Sequence, residues 1–163
     1  MKGAVAEAVI AAEAAKAGIG VLRPLVEGLR YDLVFDVCGH LLRVQCKSAR
    51  ARNRVVVIPT RSSRHTPAGY VRARYTSSEI DAIAAYCPDL NSCYFLPIQE
   101  IDGLSAVHLR LSPAANNQQA AIRYAAQFEF RGAIAQLGER LAGSEEVAGS
   151  SPASSTGDVR PLR

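Results

Sequence analysis

Between Asp36 and Glu79 the chain has no acidic residue at all. That stretch holds nine fixed cations, Arg43, Lys47, Arg50, Arg52, Arg54, Arg61, Arg64, Arg72 and Arg74, together with His40 and His65. Nine cations without one local counter-charge are hard to explain as a salt-bridged surface. A polyanionic partner fits instead, because cations displace the counterions condensed on nucleic acid. The dominance of arginine favours two-pronged contact with phosphate or guanine. A solvated basic loop is the plainer account of the same residues. Long apolar runs are also missing: no uncharged stretch reaches the roughly 18 residues of a membrane-spanning helix. The N-terminal run is broken by Glu7 and Glu13 and leads to no small-residue cleavage site, so a cytoplasmic protein is expected. Cys38, Cys46, Cys87 and Cys93 show no CxxC spacing. Zinc or a redox pair is not expected from them, and buried free thiols are. His65 and His108 stand alone and build no metal cluster.

What is present points to one α/β domain. The 163 residues are 48% apolar, enough for a real core. Residues 3–17 have helical composition and spacing, with Gly18 and Gly20 ending the helix. Val21-Leu22 begins a short strand. Tyr31 to Val37 and Leu41 to Lys47 alternate like strands and read as a hairpin turning at Cys38-Gly39-His40. Arg54 to Thr60 is a third strand. Thr76-Ser77-Ser78-Glu79 is a capping-box pattern, predicting a helix to Tyr86. Cys93 to Ile98 and Ala106 to Leu111 are strands, and Asn117 to Ala126 reads as a helix. The order implies a mixed sheet flanked by helices, with the Thr76 helix returning the chain to the sheet.

Within this frame one set of side chains has chemistry in common. Cleaving a phosphodiester needs a divalent metal held by oxygens, an activated water and a stabiliser for the charge that develops on the phosphate. Gln45 and Lys47 lie two apart on one strand and face the same way. The hairpin would set Asp32 or Asp36 beside them. Glu7, or its rival Glu13, arrives on the first helix. Gln45 offers an amide oxygen, Cys46 its main-chain carbonyl, and Lys47 a point charge. Ser48 follows as a phosphate-bonding candidate or simply as the strand's end. Arg43, Ser48, Arg50, Arg52, Arg54, Arg61, Ser63, Arg64, Arg72 and Arg74 are the candidate DNA contacts. Tyr70 and Tyr75, set among arginines, touch sugar or base or else pack.

Asp32 followed by Gln45-Cys46-Lys47 resembles the D…(D/E/Q)xK signature of PD-(D/E)xK nucleases, and Glu7 resembles the helix glutamate of that superfamily, found also in archaeal Holliday-junction resolvases. More narrowly, most of residues 2–127 looks like the endonucleases encoded in group I introns. The segments RPLVEGLRYDLVFD, LLRVQCKSAR, YTSSEIDAIAAYCPDLNSCYFLP, LRLSPAANNQ and IRYAAQFEF carry that likeness. In that group glutamine stands in the second metal position, as Gln45 does here. The resemblance implies a restriction-endonuclease-like fold and cleavage of double-stranded DNA with Mg²⁺, for which Mn²⁺ substitutes. It selects Glu7, Asp32, Gln45 and Lys47 as catalytic, with Glu7, Asp32, Gln45 and the Cys46 carbonyl as metal ligands. Tyr31 stands where the signature has proline. Cutting two antiparallel strands implies a homo-oligomer. A Holliday-junction resolvase or repair nuclease, or a DNA-binding module without catalysis, are the alternatives.

From Arg131 the composition changes. There is no Tyr, Phe or Cys, and the chain ends in a Gly/Ser/Ala/Pro-rich run. A short helix around Ile134 to Leu141 followed by disorder is expected, which sets a nuclease domain over 1–130 and a tail over 131–163. Ile134-Ala135-Gln136-Leu137-Gly138 is what the D-arm of a tRNA gene would encode, and Gly149-Ser150-Ser151-Pro152 what its T-arm would encode. The blocks begin 15 codons apart, near the separation of the two arms. The reading frame is therefore expected to run into a tRNA gene, with the tail outside the fold.

Overall fold

The structure is a computed structural model that describes residues 2–66, 69–113 and 122–148. Helix α1, Lys2–Lys16, buries Ala6, Ile10 and Ala14, one residue per turn on one face. Gly18, at φ +76°, closes it: the Ile19 N–H reaches back to the Ala14 carbonyl at 3.0 Å. Strand β1 (Gly20–Leu22) then pairs antiparallel with β2 (Leu33–Val37), and β2 with β3 (His40–Ser48). The β2–β3 connection is the expected tight turn. Cys38 and Gly39 both adopt positive φ, 54° and 84°, in a two-residue loop whose twist matches the strands. Cys38 is exposed there, whereas Cys46, Cys87 and Cys93 are the buried free thiols anticipated for all four.

The chain next leaves this sheet for a second one. Strands β4 (Arg50–Arg52), β5 (Val55–Pro59), β10 (Ala106–Arg110) and β11 (Arg123–Tyr124) form a four-stranded sheet in the order β11-β10-β5-β4. Strands β6 (Arg61–Thr66) and β7 (Gly69–Arg74) make a separate hairpin in a stretch to which the sequence pattern assigned no element. The return to the first sheet is β8 (Ala82–Cys87), parallel to β3, followed by antiparallel β9 (Ser92–Pro97). The first sheet therefore runs β1-β2-β3-β8-β9.

Here the sequence expectation of a helix from Thr76 to Tyr86 gives way. Half of the capping box forms: the Glu79 carboxylate accepts the Thr76 N–H at 3.1 Å, while the Ile80 N–H donates to the Thr76 carbonyl at 3.1 Å. The turn goes no further. Ala82, Ile83, Ala84 and Ala85 are completely buried, because β8 is covered on both faces. A strand of that kind is apolar throughout and carries no period to separate it from a helix. The helix expected over Asn117 to Ala126 has its first part outside the described residues; Arg123–Tyr124 is strand, and Ala125–Phe128 a single 3₁₀ turn.

Each face of the first sheet has its own core. Leu33, Phe35, Val44, Cys46, Ala82, Ala84 and Phe95 pack against α1 and against helix α2, Phe130–Ala148. Ile83, Ala85, Tyr94 and Leu96 pack on the other side against Val56, Ile58, Val107 and Leu109 of the second sheet. The helix expected over Ile134 to Leu141 is thus longer, and Phe130, Ala133 and Ile134 at its start are buried in the core. Residues 149–163 lie outside the described set.

Candidate active site

The site forms where β2 and β3 part. Their ladder begins at Leu33 opposite Val44, and beyond it Gln45, Cys46 and Lys47 have β8 on one flank and no β2 partner on the other. Asp32 fills the gap. Its own N–H bonds the Val44 carbonyl at 3.0 Å, and its carboxylate Oδ2 accepts the Cys46 N–H at 2.8 Å. Because the alternation of β3 sends Val44 and Cys46 into the helix-side core, Gln45 and Lys47 emerge on the opposite face. The Gln45 side-chain amide rests against Asp32 Oδ2 and lies 3.2 Å from the Cys46 carbonyl oxygen. Glu7 comes from α1 to the same edge. Glu7 and Asp32 line one cavity of about 470 Å³, in which the Arg23 guanidinium holds Glu7 Oε2 at 3.0 Å.

The electrostatics follow from crowding. Burial pushes the Asp32 carboxyl above its ordinary range; the Cys46 N–H opposes this, the Glu7 charge adds to it, and Lys47 and Gln45 oppose it. Burial likewise pushes the Lys47 ammonium down, with the charge of Asp32 holding it up and that of Arg30 depressing it further. Two carboxylates thus share an edge where one of them is costly to ionise, which is the setting a divalent cation relieves. The donors fit such an ion. Turning the Gln45 amide by half a rotation brings its oxygen to the place now taken by nitrogen. A carboxylate, an amide and a main-chain carbonyl oxygen then converge, the hard set that Mg²⁺ takes. Among the described residues no three His, Cys, Asp or Glu side chains converge. The amide and the carbonyl make up the difference.

The rivals are placed elsewhere. Asp36 is exposed and accepts the Gly39 N–H at 3.0 Å, a turn-stabilising role. Glu13 pairs with Lys16 at 2.8 Å and with Arg131 at 3.6 Å, away from Asp32.

The candidate DNA contacts divide. Ser48, Arg50 and Arg52 line a cleft of about 630 Å³ beside the N-terminus of α1. Arg54 is exposed in the β4–β5 turn, at φ 61°. On the β6–β7 hairpin Arg61 stands opposite Arg74, and Ser63 opposite Arg72, so these four share one face. Arg72 and Arg74 are exposed. The main chain of Arg64 belongs to β6; its side chain lies outside the described set. Arg43 is different. Its guanidinium grips Asp81 through Nε at 3.0 Å and Nη2 at 2.9 Å, and also donates to the Ser77 and Ser78 carbonyls. The Asp81 carboxylate further accepts the Arg43 N–H at 2.7 Å. Arg43 is thus committed within the protein, fastening the capping-box turn to β3.

Other residues of the site escaped the sequence. The phenol of Tyr75 accepts a hydrogen bond from Lys47 Nζ at 2.8 Å, and Arg30 stacks 4.5 Å above its ring. Tyr75 had a signal, its place in the arginine-rich stretch; Arg30 and Arg23 had none.

This arrangement, an acidic residue at the start of a strand with a glutamine and a lysine on its neighbour, has the spacing of the D…(D/E/Q)xK signature. The family model for PD-(D/E)XK endonucleases matches residues 1–131, and the chain belongs to that family. Among similar solved structures is a bacterial homing endonuclease, I-Ssp6803I, at 29% identity and a TM-score of 0.63, with 93% of this chain and 97% of that one covered. The fold is restriction-endonuclease-like, and the protein is a DNA endonuclease. Comparison with curated proteins produced no match.

Proposed function

We propose that the chain is a Mg²⁺-dependent, site-specific endonuclease of double-stranded DNA, of the homing type encoded in group I introns, acting as a homo-oligomer. The carrying observation is the convergence of Asp32, Gln45, the Cys46 carbonyl and Lys47 at the parting of β2 and β3. The likeness to a bacterial homing endonuclease supports the narrower reading. Glu7, Asp32, Gln45 and the Cys46 carbonyl would hold the metal, which polarises the scissile phosphate and activates water. Lys47 directs its ammonium at that phosphate and stabilises the charge that develops there.

The test uses plasmids carrying uninterrupted bacterial tRNA genes, chosen because residues 134–138 and 149–152 read as tRNA-gene codons. One of them is expected to be linearised with Mg²⁺ and left intact in EDTA. Cleavage that persists in EDTA refutes the metal dependence, and a panel left wholly intact refutes the homing reading.

We assign the DNA contacts to Ser48, Arg50, Arg52, Arg54, Arg61, Ser63, Arg64, Arg72 and Arg74, and Arg43 to the fold. Arg61 and Arg74, like charges directly opposite each other, repel until an anion lies against them. Arg72→Ala and Arg74→Ala are each expected to reduce the slope of log affinity against log salt by about 1, with little change in stability. Arg43→Ala is expected to cost about 1.5–3 kcal/mol of stability, since it removes hydrogen bonds between charged partners. Salt titration of DNA binding and urea unfolding of the three variants separate the two groups.

A further inference from the structure

Lysine ends a stem of four rotatable bonds, and its ammonium reaches one place only if something holds it there. Lys47 Nζ donates to the Tyr75 phenol oxygen at 2.8 Å and stands 4.8 Å from the centre of the same ring. The ring itself is fixed. Tyr75 is 6% exposed and belongs to the core between the two sheets. Its other holder is Arg30, whose guanidinium lies 4.5 Å from the ring centre. Arg30 is in turn tied to the β6–β7 hairpin, donating to Ser62 Oγ at 2.8 Å and to the Arg74 carbonyl at 2.9 Å, and to Glu79 at 3.0 and 3.2 Å. Tyr75 directly follows β7 in the chain. The hairpin that carries Arg72 and Arg74 and the phenol that holds Lys47 are therefore one continuous segment.

We propose that Tyr75 is a positioning residue, holding the Lys47 ammonium at the scissile phosphate, and that Arg30 ties this hold to the arginine-bearing hairpin. The proposal rests on the reading of Lys47 as the charge-stabilising group. A purely packing role for Tyr75 needs only its ring. A positioning role needs its oxygen.

The experiment compares wild type, Tyr75→Phe and Lys47→Ala on the plasmid that wild type linearises. Cleavage is measured with enzyme in excess and Mg²⁺ present, below the unfolding midpoint of every variant. Binding is measured separately with Ca²⁺ in place of Mg²⁺. Tyr75→Phe is expected to cleave about 10- to 100-fold more slowly, the loss of one hydrogen bond to a charged group. Its affinity for the same DNA should stay within about twofold, because the ring and the hairpin remain. A Tyr75→Phe rate within twofold of wild type, beside a crippled Lys47→Ala, overturns the positioning role and leaves the nuclease reading standing. A loss of rate matched by an equal loss of affinity overturns it too. Lys47→Ala cleaving as fast as wild type overturns the reading of Lys47 on which the proposal rests.

Discussion

Lys47→Ala is expected to cleave DNA about 10²- to 10³-fold more slowly, the effect of deleting one donor aimed at developing charge. The size follows from where the ammonium sits. It is half-buried, bonded to Tyr75 and close to Asp32, in surroundings where burial already holds it below the ordinary lysine range. A charge in such a place acts through little intervening water and interacts strongly with a neighbouring phosphate. Burial disfavours the charged form in the folded protein, whereas the packed stem and the hydrogen bond to Tyr75 favour the fold, so the two effects oppose each other. The unfolding midpoint of Lys47→Ala is therefore expected to move little. The combination is diagnostic: slow cleavage, retained binding and a nearly unchanged midpoint. A variant that loses cleavage, binding and thermodynamic stability together has lost its fold, and one that cleaves normally shows that Lys47 is not the charge-stabilising group.

The largest loss of stability is expected from Phe130→Ala, about 3–5 kcal/mol. Phe130 opens α2 and is 4% exposed. Its ring meets Phe35 edge-on at 6.0 Å and Phe95 edge-on at 6.1 Å, and those two rings stack at 6.4 Å. Phe35 lies on β2 and Phe95 on β9, so this group of rings joins opposite parts of the first sheet under one helix. Truncating Phe130 leaves a cavity that the rigid strands cannot close. Against a total stability of about 5–15 kcal/mol the change is severe. Urea unfolding checks it, with Arg131→Ala as the neighbouring control. The Arg131–Glu13 contact is 3.6 Å long and exposed, and its loss should stay within about 0.5 kcal/mol.

The β2–β3 hairpin was legible in the sequence because its alternation is visible and its turn holds the one glycine the geometry demands. The pattern that placed Asp32, Gln45 and Lys47 in register is therefore a local one. The crossover was not legible. Ala82 to Cys87 is apolar on both faces, and the capping-box pattern at Thr76 gave the wrong element, because only its Glu79 half forms and the chain stops after one turn. The β6–β7 hairpin was hidden by its polarity: Arg61, Ser63, Arg72 and Arg74 share a face that has no apolar signal to set the period. Tyr75 and Arg30 illustrate the wider limit. They lie 45 positions apart in the chain and meet only because the second sheet folds back over the first. Arg43 shows the converse, since a cation counted with its neighbours from the sequence is spent on Asp81, 38 residues away.

If the reading frame runs into a tRNA gene, as the codons expected for residues 134–138 and 149–152 imply, the burial of Ala133 and Ile134 has a consequence for heredity. These side chains help close the helix-side core, and Ile134 opens the five residues that read as a tRNA D-arm. Where one stretch of DNA writes both, neither product is free to drift. A base change that repacks the core must still leave a tRNA that folds, and a change that suits the tRNA must still leave an apolar residue under the sheet. Such an enzyme carries in its interior a few positions whose identity is answerable to an RNA.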